Sequence, residues 1–192
     1  MEADGEVIQR SLEQPAAFAE IFQRHFDRVE AYARQRVGLT VGEEIAAQTF
    51  LVAFERRGRF DTGYQSARPW LLGIATNLIR HHVRDERIHL SAVARAPIDP
   101  PSAPIDDPDR VDAERLRPLL AEALRTLSLN DRETFLLVAL GELTYGQVAI
   151  ALGIPIGTVR SRIHRARVAL RERLDPFEAT PEWTDPAAEE QQ

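Results

Sequence analysis

Thr144-Tyr-Gly-Gln-Val-Ala-Ile-Ala-Leu-Gly-Ile-Pro-Ile-Gly-Thr-Val-Arg-Ser-Arg-Ile-His-Arg-Ala-Arg167 decides how the last third of this 192-residue chain folds. Thr144 and Gln147 have the spacing of a capping box, in which each side chain satisfies the other residue's backbone N–H. They open a short helix ending near Leu152. Gly153-Ile-Pro-Ile-Gly157 reads as a turn, with Gly153 free to adopt the positive φ it needs. Thr158 is expected to cap a longer helix running to about Leu174. A short helix, a Gly-containing turn and a second helix form a helix-turn-helix. Val148, Ala149, Leu152, Ile154, Val159 and Ile163 are spaced to pack the two helices together.

The second helix carries Arg160, Ser161, His164 and Arg165 on an outer face near its N-terminus, the end that reaches base edges in the major groove. Arginine can pair bidentately with O6 and N7 of guanine. Arg162, Arg167, Arg171 and Arg173 extend the positive field toward phosphates. The alternative is a surface helix with a solvated basic face, which charge alone would favour. The caps, the turn and the apolar spacing together favour DNA binding. The net charge of −6 hides a division along the chain, because residues 144–174 hold six Arg and one acid, while residues 175–192 hold six acids and no Arg or Lys. The chain has no Lys at all.

Upstream, helical periodicity is widespread and hairpin signals are nearly absent. Phe18, Ile21, Phe22, Phe26, Val29, Tyr32 and Ala33 mark one amphipathic helix. Ile45, Thr49, Leu51, Val52 and Phe54 mark a second, after a turn expected around Gly38 to Gly42. Trp70, Leu71, Ile74, Ala75, Leu78 and Ile79 mark a third, with Pro69 near its start, where its missing N–H is harmless. Residues 96–109 hold five prolines and four aspartates. Such a composition builds neither helix nor core and reads as an extended linker. Beyond it, Leu116, Leu119, Leu120, Ala123, Leu124 and Leu127 form a stripe. Asn130-Asp-Arg-Glu133 resembles a capping box opening a helix Glu133–Leu140, with Gly141 as its stop. The fold class expected is all-α: two small helical domains joined by a flexible Pro/Asp-rich linker.

The stretch from Leu143 to Arg167 closely resembles the −35-reading domain (region 4) of sigma-70 family factors, and Gly157 to Arg167 is characteristic of the extracytoplasmic-function group. Two-component response regulators carry similar output domains, so the N-terminal unit matters. Ala17-Phe-Ala-Glu-Ile-Phe22, Glu43-Glu-Ile-Ala-Ala-Gln-Thr-Phe-Leu-Val-Ala-Phe54 and Arg68-Pro-Trp-Leu-Leu-Gly-Ile-Ala-Thr-Asn-Leu-Ile79 follow the order and spacing of the family's −10-binding domain (region 2). The resemblance implies domains at 14–90 and 112–175, a linker at 91–111 and an acidic, disordered tail at 176–192. It implies core RNA polymerase as partner, through the largest subunit's clamp helices and the β flap, together with promoter DNA and, in some members, an anti-sigma factor.

Carried over residue by residue, Thr158, Arg160, Ser161, His164, Arg165 and Arg167 fall on the −35 surface. Asn77 matches a position that holds a flipped −10 base, and flipping costs a few kcal/mol that such a pocket must offset. Phe60 to Ser66 corresponds to the loop lining that pocket, where Tyr64 can stack on a base. Arg80, His81, Arg84 and Arg87 continue the helix toward the DNA backbone, whereas Trp70 is expected in the core. Glu43, Glu44, Ala47, Gln48, Phe50 and Leu51 fall on the polymerase-docking surface. Where relatives usually show Asp-Leu-Val-Gln-Glu-Thr-Phe, this chain has Glu44-Ile-Ala-Ala-Gln-Thr-Phe50. A polar contact is lost at Ala47 and a negative charge at Gln48.

Little else in the sequence carries chemistry. No Cys is present, and His81, His82 and His89 lack metal-site spacing, so no metal and no cofactor is expected. No phosphate loop or nucleophile elbow occurs, so no enzyme activity is expected. No apolar run approaches the roughly 20 residues of a membrane helix, and the acidic N-terminus lacks a signal pattern. A cytoplasmic location with no membrane partner is expected. The linker acids Asp99, Asp106, Asp107 and Asp109 read as a solvated tether or as a mimic of RNA charge in the polymerase channel. The tail, with Phe177 and Trp183, reads as a solvated end or as a competitor for the Arg-rich helix. The alternative function is a helix-turn-helix repressor or activator acting without core polymerase.

Overall fold

The structure, a computed structural model, describes residues 2–93 and 119–174. Residues 91–93, expected to open the linker, are helical; the rest of the expected linker, residues 112–118 and the acidic tail lie outside the described residues. Among the described residues there is no strand. The chain divides into two compact units, Met1–Asp99 and Pro100–Gln192.

The first unit contains α1 (Asp4–Glu13), a 3-10 turn (Pro15–Phe18), α2 (Ala19–Val37), α3 (Leu39–Arg56) and α4 (Arg68–Val93). Its first helix lies upstream of the expected domain start at residue 14. It belongs to the fold because Val7 and Ile8 are fully buried. Ile21, Val29, Tyr32, Ala46, Leu71 and Ala75 complete the core from the other three helices. The turn expected over Gly38 to Gly42 shrinks to one residue. Gly38, at φ 85°, donates its N–H to Arg34 O at 2.9 Å. α3 starts at the next residue. Gly42 lies inside α3 at a close helix crossing, where a Cβ would stand 2.6 Å from the backbone of Arg34. A relay ties α2 to α4. Arg36 Nη1 donates to Tyr32 Oη at 2.7 Å, Tyr32 Oη lies 2.8 Å from Thr76 Oγ1, and Thr76 Oγ1 donates to Leu72 O at 2.8 Å. With the threonine proton spent on Leu72, the tyrosine hydroxyl donates to Thr76. The two buried hydroxyls, of Tyr32 and Thr76, are thereby both paired.

The second unit contains α5 (described over residues 119–126), α6 (Leu129–Ala139), α7 (Tyr145–Leu152) and α8 (Ile156–Leu174). Ala123 and Leu127 pack with Ala166 and Leu170, flanked by Phe135 and Leu174. Leu137, Val148, Val159 and Ile163 fill the centre. α6 begins four residues before the expected Glu133, because its cap is Ser128, whose Oγ accepts from Asp131 N at 3.1 Å. The cap expected at Asn130 lies instead at Ser128. Leu129, the first residue of α6, is half exposed, so its apolar character does not mark the helix start.

The Thr144–Gln147 box forms, with Gln147 N donating to Thr144 Oγ1 at 3.3 Å and Thr144 N donating to Gln147 Oε1 at 3.0 Å. Gly153 closes α7 in the left-handed conformation (φ 63°, ψ 38°). α8 starts two residues before Thr158, which is not its cap. The Pro155 carbonyl instead accepts from Thr158 N at 2.9 Å and Val159 N at 3.2 Å.

Candidate nucleic-acid interface

α8 is held by its buried Val159–Ile163–Ala166–Leu170 stripe, and this sets which residues turn outward. Arg160, Ser161 and His164 are exposed, while Thr158, Arg162 and Arg167 are half-buried. Ser161 Oγ donates to Thr158 O at 3.0 Å, so its oxygen is left as an acceptor. Arg165 is exposed but already engaged. Its Nη2 lies 2.7 Å from Asp131 Oδ1 and its Nε 3.2 Å from Oδ2. Hydrogen bonding from Arg165, opposed by burial and aided by Ser128 and the Arg162 charge, holds the Asp131 carboxyl below its ordinary range. The same bond raises Arg165 further above its ordinary value. Asp131 was legible only as part of a capping sequence, because nothing in the spacing along α8 points to an acid on α6.

A second surface lies on the first unit. Trp70, Asn77, His81 and Arg84 recur at helical spacing along one face of α4. Asn77, His81 and Arg84 are exposed and Arg80, beside them, is half-buried. His82 faces Glu86 along the helix at 3.5 Å. The Arg87 side chain lies outside the described residues. Trp70 is not a core residue. It is half-buried and packs on Phe60 at 5.0 Å between ring centroids, with Tyr64 on Phe60 at 6.3 Å. Tyr64 is 38% exposed, on a loop turned by Gly63 N donating to Asp61 Oδ1 at 3.0 Å. The structure thus places the loop aromatics and the start of the Asn77 stripe in one neighbourhood.

The loop is anchored from an unexpected direction. Asp4, at the start of α1, accepts from Ala67 N at 2.8 Å, from His25 Nε2 at 2.6 Å and from Arg24 Nη1 at 2.9 Å. Its own N–H donates to Gln65 O at 3.3 Å. Arg24 also contacts Glu20, which pairs in turn with Arg10. Burial alone would raise the Asp4 carboxyl, but these donors together lower it from 3.8 to about 2. A depressed carboxyl stabilises the fold fully above its unfolded pKa and loses that contribution as pH falls through the folded value. The difference corresponds to about 2 kcal/mol. The stability gap between the native chain and its Asp4→Asn variant is therefore expected to be constant above about pH 4 and to close between pH 4 and 2. Urea titrations at stepped pH measure it, and a gap independent of pH down to 2 would contradict the assignment.

The third surface is on α3. Glu43, Glu44, Ala47, Gln48 and Leu51 are exposed on its outer face, with Leu51 59% exposed. Phe50 is buried, contrary to its expected surface role. Its ring lies 4.9 Å from Phe22 and 5.9 Å from Phe26. Phe22, one of the periodic apolar positions that marked α2, is the exposed aromatic, at 42%. The two helices share one aromatic cluster, in which Phe50 is buried and Phe22 exposed. Periodicity within either helix could not have shown which ring would be outermost.

Comparison with known proteins returns one consistent answer. Residues 21–88 match the family model for Sigma-70 region 2, and residues 117–170 match the model for Sigma-70, region 4. The chain is 34% identical to the RNA polymerase sigma factor CarQ of Myxococcus xanthus, over 84% of this chain and 91% of that one. It is 33% identical to the ECF RNA polymerase sigma factor SigE of Mycolicibacterium smegmatis, over 81% of this chain and 60% of that one. Its fold resembles that of the sigma factor RpoE of Bartonella quintana, solved in complex with the anti-sigma factor NepR. The TM-score is 0.63 at 22% identity, over 84% of this chain and 98% of that one.

Proposed function

Because the chain belongs to the sigma-70 family of RNA polymerase sigma factors, in its extracytoplasmic-function group, we propose that it binds core RNA polymerase and directs initiation at promoters by reading −10 and −35 elements. The observation that carries this is the capped helix-turn-helix with Arg160, Ser161 and His164 outermost on α8. In this reading these residues enter the major groove at the −35 element, while Arg162 and Arg167 approach phosphates. Asn77 offers both an amide donor and an acceptor to the edge of an extruded −10 base. Tyr64 and Trp70 supply the flat apolar surface on which such a base stacks. Arg80, His81 and Arg84 follow the strand along α4.

Docking on the largest subunit's clamp helices is assigned to the α3 face and Phe22, with Glu43 and Glu44 as rim charges. Large apolar side chains contribute most where they are fully desolvated by the partner. Replacing Phe22 and Leu51 together with Glu is expected to weaken core binding about tenfold to a hundredfold. Binding of a −35 duplex by the free protein should be unaffected. Titration of labelled variant against core enzyme measures this, and unchanged affinity would remove the α3 face from the interface. The β flap is assigned to the second unit. An anti-sigma factor, the kind of partner with which RpoE was solved, would compete for these same surfaces. The polymerase supplies all covalent chemistry and this chain none, in the cytoplasm where the polymerase works.

The deciding experiment is initiation in vitro with purified core polymerase on a matched promoter. Start-site-specific transcripts that require this chain are the expected result. A protein that binds operator DNA alone, and neither associates with core enzyme nor supports initiation, would instead be a helix-turn-helix regulator.

A further inference from the structure

Arg165 and Asp131 hold the observation that goes furthest. The Arg165 side chain is 56% exposed, and its partner Asp131 is only 10% exposed. The carboxylate takes the Nε and Nη2 edge of the guanidinium, at 3.2 Å and 2.7 Å. Asp131 cannot readily follow the arginine outward, because its backbone N–H is fixed on Ser128 Oγ at 3.1 Å in the first turn of α6. A guanidinium carries five N–H groups in a rigid fork. With one edge bound to the carboxylate, the other edge, made of Nη1 and the second Nη2 proton, keeps two parallel donors. That edge is the partner of guanine O6 and N7.

Two consequences separate this arrangement from an ordinary basic surface residue. The fork is oriented before DNA arrives, so little side-chain freedom is lost when it pairs. Its charge is also largely balanced by Asp131, so Arg165 adds little to the sequence-independent attraction of phosphates. We infer that Asp131 is a specificity-determining positioning residue, which buttresses Arg165 so that its free edge reads one guanine in the −35 element. The inference rests on the proposed promoter reading and adds to it a base identity and a residue outside the recognition helix.

The test uses holoenzyme assembled from the full chain and core polymerase, with −35 duplexes in which each base is varied in turn. At one guanine, the native chain should discriminate against adenine about tenfold or more, and 7-deazaguanine, which lacks the N7 acceptor, should bind correspondingly worse. Asp131→Asn should reduce the preference at that base by about tenfold, leaving preferences elsewhere in the element and the thermal melting of the unit nearly unchanged. Arg165→Lys, which keeps the charge and removes the fork, should lose the same preference and retain the salt dependence. Asp131→Asn added to Arg165→Ala should change nothing further. If Asp131→Asn leaves the preference intact or sharpens it, the inference is overturned, and the carboxylate instead withholds Arg165 from DNA. If Arg165→Lys and Arg165→Ala alter no base preference while the other −35 bases still matter, the inference fails and the promoter reading stands. If the native holoenzyme has no −35 preference at all, the promoter reading fails first and this inference with it.

Discussion

Gly42→Ala is expected to destabilise the first unit by about 2 kcal/mol, although alanine is the better helix former. The propensity change alone would favour the variant by about 1 kcal/mol. Against it stands geometry: the new Cβ would lie 2.6 Å from both the N and the Cα of Arg34 and 2.8 Å from its Cγ. The backbone of α2 cannot swing aside as the end of a side chain can, so α2 and α3 must move apart. The Phe22–Phe26–Phe50 cluster spans the same pair of helices, so core binding should weaken in parallel. Gly157→Ala is the control. It lies in α8 with nothing within 4 Å of the added Cβ and is expected to raise stability by about 0.5–1 kcal/mol. Because two units unfold in one chain, each variant should be followed with a probe of its own unit, such as Trp70 fluorescence in urea for Gly42→Ala. An unchanged midpoint for Gly42→Ala would show that the crossing is looser than described.

Arg160→Ala combined with His164→Ala is expected to reduce −35-dependent initiation about a hundredfold, the loss of one strong base pairing and one weaker contact at roughly 1–3 kcal/mol each. Both residues are exposed on α8, and alanine suits a helix interior, so the fold should be kept. Arg162→Ala and Arg167→Ala offer the contrast. If they meet phosphates, each should weaken binding similarly at all sequences and lower the salt slope by about one. Run-off transcription on promoters with and without a −35 element separates the two classes. A double variant that initiates within twofold of the native chain would mean that α8 is not the reading helix.

Much of the molecule could be read before any coordinates were known, because the informative patterns were local. A capping box spans four residues, and Thr144 and Gln147 form it as expected. The positive φ of Gly153 follows from its place after an apolar helix. Helical periodicity separated the inner and outer faces of α8. The same locality explains the errors. Phe22 was judged by periodicity within α2 and Phe50 by resemblance to the family's docking helix, and the packing of α2 on α3 then buried Phe50 and left Phe22 exposed. Trp70 looked like core because it is large and apolar, yet its neighbours are the loop aromatics.

By itself, then, the order of residues determined that the described chain is helical, that it carries a helix-turn-helix, and which face of α8 looks inward, since these depend on caps, turns and a 3.6-residue period. Tertiary structure alone decided which acid holds Arg165, from 34 residues away, and which carboxylate anchors the Tyr64 loop, from 63 residues away. Such pairings depend on how helices pack, and no period along one helix encodes the identity of its neighbour.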